Sequence, residues 1–202
     1  MTEADQTATY PAPLRHFVAE LAKAATLHGD DEAVMLDTCR ALMLDLVKTD
    51  DWLPAYCARP DASYYQQHLL YGDPLDRFSI VSFVWGPGQT TPIHDHTVWG
   101  VIGMLRGSER DERFELDADG MPVPTGEVST LKPGDVGVVS PTIGDIHRVS
   151  NAYEDQVSIS IHAYGGNIGR ISRHVYQPDG TVKAFVSGYS SALTPNLWAR
   201  GA

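Results

Sequence analysis

Beyond residue 62 the chain breaks into short apolar or alternating runs divided by glycine and proline, and that punctuation points to an all-β sandwich or barrel. Phe78, Ile80, Ser82 and Val84 alternate as a half-buried strand does. Further runs follow at Val98 to Leu105, Arg113 to Leu116, Val128 to Leu131, Val136 to Val139, His147 to Val149 and Val157 to Tyr164. Gly86-Pro87-Gly88, Asp119-Gly120, Pro133-Gly134-Asp135 and Gly165-Gly166 separate them. A last hairpin brackets Pro178-Asp179-Gly180, with Val175-Tyr176 before it and Val182-Lys183-Ala184 after.

Upstream, residues 12–58 read as helical. Leu14, Phe17, Val18 and Leu21 recur at the spacing of one helix face. Gly29-Asp30-Asp31 interrupts the pattern, and either aspartate can cap a second helix. There Leu36, Cys39, Met43 and Leu46 form the next apolar stripe. At 202 residues the chain fits one domain, with helices over about 12–58 and a β-barrel over about 62–190.

The formal charge of −11 argues against nucleic-acid or anionic-membrane partners, which would need a basic patch. It does not forbid a local basic pocket for a small anion. Cys39 and Cys57 form no CxxC pair, and two cysteines do not make a disulfide scaffold. The opening MTEADQTATYPAP lacks a basic n-region and an apolar h-region, so no signal peptide is expected, and a cytoplasmic location is the default. Nothing in the sequence bears on oligomeric state.

The sharpest chemical signal is Gly88-Gln-Thr-Thr-Pro-Ile-His94-Asp-His96. Histidines two apart on a strand share a face, and neutral imidazoles ligate metals. Downstream, Gly144-Asp-Ile-His147-Arg-Val-Ser-Asn151 supplies a third histidine. Together these stretches resemble the two motifs of the cupin superfamily, with Gly88, His94, His96 and Gly107 in register in the first and Gly144, His147 and Asn151 in the second. The resemblance implies a double-stranded β-helix barrel. Gly100 stands where cupins commonly carry a fourth, carboxylate ligand, which leaves three neutral histidines and open coordination positions. Zinc and iron both use such sites, and spacing does not choose between them.

Ser160-Ile-His162-Ala-Tyr164 places a hydroxyl, an imidazole and a phenol on one strand face, with Ile161 and Ala163 on the other. Such a row can act as a hydrogen-bond relay. With it the chain resembles the thiol dioxygenases, the family of cysteine dioxygenase and its bacterial relatives. The resemblance is carried by Tyr65-Gln-Gln67, Trp85-Gly86, Pro92-Ile-His94-Asp-His96-Thr97, residues 143–149 and Ser160 to Tyr164.

What it implies is iron(II) on His94, His96 and His147, with Ser160, His162 and Tyr164 as the catalytic relay. A small thiol and O2 would be the substrates. Mammalian-type members have a cysteine, crosslinked to the tyrosine matching Tyr164, where Gly100 stands. They also have a carboxylate-binding arginine where Gln67 stands. The pattern resembles the glutamine-type bacterial branch, whose members favour 3-mercaptopropionate. Arg173 matches that branch's replacement arginine, with Arg170 a neighbouring competitor and Gln66 an alternative to Gln67. L-cysteine remains an alternative substrate. A non-dioxygenase metal cupin, isomerase or ligand sensor, is the alternative function. His16, His28, His68 and His174 match no motif, and Trp99 reads as core or pocket wall.

Overall fold

A computed structural model describes residues 11–190; the chain's opening and the tail beyond Ser190 lie outside the described residues. Helix α1 (Ala12–His28) begins with Pro13 in its first turn, where a missing N–H costs no helical bond. Its buried residues include Leu14, Phe17, Val18 and Leu21, the expected stripe. Helix α2 (Glu32–Leu46) is capped by Asp31, whose carboxylate accepts the Val34 N–H at 3.2 Å. Its stripe is Met35, Cys39, Met43 and Leu46; Leu36, expected there, is only half-buried beside it. Residues 52–58 do not continue the helices. They hold a short 3₁₀ turn (Ala55–Ala58) that puts Cys57 into the core.

Eleven strands follow: β1 (Gln66–Gly72), β2 (Ser79–Trp85), β3 (Ile93–His94), β4 (Gly100–Arg106), β5 (Glu109–Leu116), β6 (Pro122–Leu131), β7 (Val136–Val139), β8 (His147–Asn151), β9 (Ser158–Tyr164), β10 (Arg173–Tyr176) and β11 (Val182–Phe185). They form two antiparallel sheets, ordered β1-β2-β9-β4-β7 and β11-β10-β3-β8-β5-β6. The two sheets make the double-stranded β-helix barrel of the cupins. Strand β5 starts four residues before the expected Arg113, because Glu109, Arg110, Asp111 and Glu112 pair with β8 despite their charge.

The central strands β2, β9 and β4 of the five-stranded sheet are buried on both faces. Alternation sends Ile80 and Val84 of β2 and Ile159, Ile161 and Ala163 of β9 outward to the helices. Val81, Phe83 and Trp85, with Tyr164, point inward to a second apolar cluster. Gly103 lets α2 sit close to β4: a Cβ there would meet Met43 Cγ at 2.6 Å and Val47 Cγ1 at 2.7 Å. No described helix is long and apolar enough to cross a membrane.

Candidate metal centre

His94 on β3 lies directly across from His147 on β8. His96 falls just beyond β3, so strand alternation alone does not place it. Its position comes from Asp145, whose Oδ2 accepts the N–H of His96 at 3.0 Å and of Thr97 at 2.8 Å. The chain turns there through a left-handed Thr97 (φ 59°), a conformation that a β-branched residue adopts only when its surroundings impose it. The three rings end as a nearly equilateral triangle, with centroids 4.8 to 4.9 Å apart. One ring nitrogen from each lies within 4.8 Å of the others.

Each Nδ1 already faces an acceptor. Asp145 Oδ1 takes that of His96 at 2.8 Å, Asp111 Oδ1 that of His147 at 2.9 Å, and the Pro92 carbonyl that of His94 at 3.1 Å. An acceptor at Nδ1 selects the tautomer with the proton there, so that in the neutral ring Nε2 is the free lone pair. His147 Nε2 is buried with no hydrogen-bond partner. Burial holds the pKa values of His94 and His96 well below the ordinary histidine value, and the neighbouring imidazoles push the same way. Three ring nitrogens, oriented toward one point, fit a divalent metal ion.

Along β9 the relay is continuous. Tyr164 OH lies 2.8 Å from His162 Nδ1, and His162 Nε2 lies 2.8 Å from Ser160 Oγ, which accepts the Trp85 indole N–H at 3.3 Å. Phe83 stacks on the His162 ring at 4.1 Å, and Tyr164 stacks on His96 at 5.4 Å. Burial pushes the Tyr164 phenol far above its ordinary value and holds His162 well below its own, so both are neutral. Gly100 leaves the tyrosine ring and Val139 close against β4, where a Cβ would come within 3.0 Å of the ring and 2.9 Å of Val139 Cγ2.

A cavity of about 220 Å³ joins these groups, lined by the three histidines, His162 and Tyr164 together with Gln67, Arg173 and an apolar wall that includes Tyr65, Phe83 and Trp85. Ser160 stands behind His162, outside the wall. Arg173 is 4% exposed, gives one N–H to Ser187 Oγ at 2.7 Å and lies over the Phe185 ring at 4.6 Å. Among the described residues its Nε has no hydrogen-bond partner, nor has Gln67 Oε1. Arg170 is exposed and reaches Asp76 at 3.8 Å, and Gln66 turns its amide to the Tyr64 carbonyl. Neither lines the cavity.

The sequence reading missed Asp95, Glu109, Asp111 and Asp145. Asp95, between the two histidines, accepts from Tyr176 OH and pairs with His174 Nδ1, both at 2.8 Å. His174 is thus a strand tether, and Trp99 is core. Asp111 and Glu109 sit in Glu109-Arg-Asp-Glu-Arg113, a run whose charge reads as a solvated surface. Charged at every position, the run carries no alternation that marks Glu109 and Asp111 as inward.

A double-stranded β-helix barrel holding a three-imidazole centre defines a metal-binding cupin. The chain belongs to the cysteine dioxygenase type I family, whose profile matches residues 9–178. It is similar to cysteine dioxygenase type 1 of Danio rerio, 27% identical over 119 residues, which cover 56% of each chain. The Rattus norvegicus protein of the same name is 26% identical over 112 residues, 54% of this chain and 55% of that one. The chain thus spans little more than half the length of these curated relatives; the Homo sapiens protein aligns over 68% of each chain at 26% identity. Among solved structures, a Klebsiella pneumoniae protein with a double-stranded β-helix domain gives a TM-score of 0.45 at 14% identity, covering 67% of this chain and 96% of that one.

Proposed function

We propose that this protein is an iron(II)-dependent thiol dioxygenase that converts a small mercapto-carboxylate, 3-mercaptopropionate foremost, to its sulfinate. The observation that carries the reading is the buried Arg173, with an unsatisfied Nε, in the same cavity as the three imidazoles and the Tyr164 hydroxyl. A guanidinium taken out of water demands an anionic partner, and a carboxylate matches its planar donors. Gln67 offers amide donors to the same carboxylate. The apolar wall of Tyr65, Phe83 and Trp85 excludes water and strengthens that attraction.

Iron(II), held by His94, His96 and His147, would supply the redox chemistry that places both oxygen atoms on sulfur. Arg173 holds the far end of the substrate, so the sulfur is presented to the histidine triangle in one orientation. Tyr164, kept in place by His162 and Ser160, offers its hydroxyl to the reacting groups.

The names of the relatives favour L-cysteine as the second reading. Against it, no aspartate or glutamate among the described residues lines the cavity, so an α-ammonium group would find no carboxylate partner in them. Oxygen uptake by the iron(II)-loaded protein, with 3-mercaptopropionate, L-cysteine and cysteamine compared, decides among them. Faster uptake with 3-mercaptopropionate is expected, and Arg173→Ala should raise its KM roughly 10- to 100-fold while leaving that of cysteamine nearly unchanged. Preference for cysteine would keep the reaction and overturn the roles of Arg173 and Gln67. No uptake with any thiol by protein shown to hold iron would turn the reading to an isomerase or ligand-sensing cupin.

A further inference from the structure

The inward positions of β5 place one carboxyl group behind each half of the site. Asp111 stands behind His147; Glu109, two residues earlier, stands behind Ser160. Glu109 is 2% exposed, and its Oε1 has no hydrogen-bond partner. The Ser160 hydroxyl and the Trp85 indole N–H bear on its carboxyl group. Across the strand pairs it faces Asn151 of β8 and Leu131 of β6. None of these four is a charged side chain. Asp111, on its own strand, is the charged group that acts on it, and it disfavours ionisation. A buried acid beside the last member of a hydrogen-bonded row, with no cation acting on it among the described residues, is a costly feature for a barrel interior.

We propose that Glu109 is the inner terminus of the relay formed by Ser160, His162 and Tyr164, and that its protonation state sets the direction of every hydrogen bond in the row. When Glu109 is ionised, it accepts the Ser160 O–H. Ser160 Oγ then accepts the Trp85 N–H and the His162 Nε2–H, and His162 Nδ1, now bare, accepts the Tyr164 O–H. Tyr164 meets the cavity with lone pairs only. When Glu109 is protonated, its O–H donates to Ser160 Oγ, Ser160 donates to His162 Nε2, and His162 Nδ1–H donates to the phenol oxygen. Tyr164 is then free to donate into the cavity.

One proton gained at Glu109 becomes one donor presented at Tyr164, with His162 neutral and carrying a single ring proton throughout. Burial pushes the Glu109 carboxyl up to about 7, so both states are populated near neutrality. Glu109 is a positioning residue, since it touches no substrate. The consequence for catalysis rests on the thiol dioxygenase reading; the hydrogen-bond reversal does not.

The test is the tautomer of His162, read from ¹⁵N chemical shifts of its ring in the full chain, metal-free and with zinc(II) added. In the wild type the proton should move from Nε2 at high pH to Nδ1 at low pH, with a midpoint near 7. Glu109→Gln, isosteric but unable to titrate, should abolish the switch, and Ser160→Ala should abolish it by breaking the link while Glu109 stays in place. A wild-type His162 with one tautomer across the neutral range, or a switch that persists in either variant, overturns the proposal. In the iron(II)-loaded protein, Glu109→Gln should alter the pH profile of kcat and move KM by less than about twofold. If the tautomer switches but no thiol is oxidised, the relay stands and the dioxygenase reading falls.

Discussion

An imidazole binds a metal only through an unprotonated nitrogen, so the centre depends on the groups that fix each ring's proton on Nδ1. Asp145, Asp111 and the Pro92 carbonyl do this, and they differ in strength, since a carboxylate is a better acceptor than a carbonyl. Asp111→Asn keeps the shape but weakens the hold on His147. The expectation is a 10- to 100-fold loss of metal affinity, roughly, in a competition titration with a chelator, with the fold unchanged by circular dichroism. Unaltered affinity would show that His147 is held by packing alone. These carboxylates were hidden in the sequence because an aspartate in a charged strand looks the same whether it faces water or an imidazole. The histidines were legible from their clustering in two glycine-bounded motifs, and the Ser160-His162-Tyr164 row from its spacing of two along one strand.

Among the elements, β4 and β9 join the helical layer to the site. Strand β9 gives its even positions to the cavity side and Ile159, Ile161 and Ala163 to the helices. Strand β4 does the same with two glycines. Gly100 clears space for the Tyr164 ring on the inner face, and Gly103 clears space for Met43 and Val47 on the outer one. Gly103→Ala forces the α2 contact apart and should cost about 1 to 3 kcal/mol in a urea unfolding curve. A stability equal to wild type would mean that Met43 swings aside freely. The helices were readable from their apolar stripes, apart from the exchange of Leu36 for Met35: the two are adjacent apolar residues, and packing against the barrel selects Met35. The two-residue β3 and the true start of β5 were not readable, because cross-strand partners rather than local preference make them strands.

For the whole molecule, the buried Glu109 ties stability to pH. Its carboxyl titrates at about 7 in the folded chain, above the ordinary glutamate value of the unfolded one, so between those values the folded chain binds more protons. Its contribution is therefore fully present at low pH and is lost as pH rises through about 7. The buried His94, His96 and His162 have depressed values and act in the opposite sense, but equally in wild type and variant. The stability difference between wild type and Glu109→Gln should thus shift by about 3 kcal/mol in the variant's favour between pH 4 and pH 8, read from paired urea unfolding curves. A difference independent of pH would place Glu109's titration in the ordinary range. Local sequence determined the helix stripes, the run of short strands, the histidine motifs and the relay face, all of which depend on residue type and period. Tertiary structure alone decided which of Arg170 and Arg173 turns inward, which glutamine lines the cavity and which acids stand behind the site. Those outcomes depend on desolvation and on partners brought from distant strands, and neither quantity is written in the spacing of neighbouring residues.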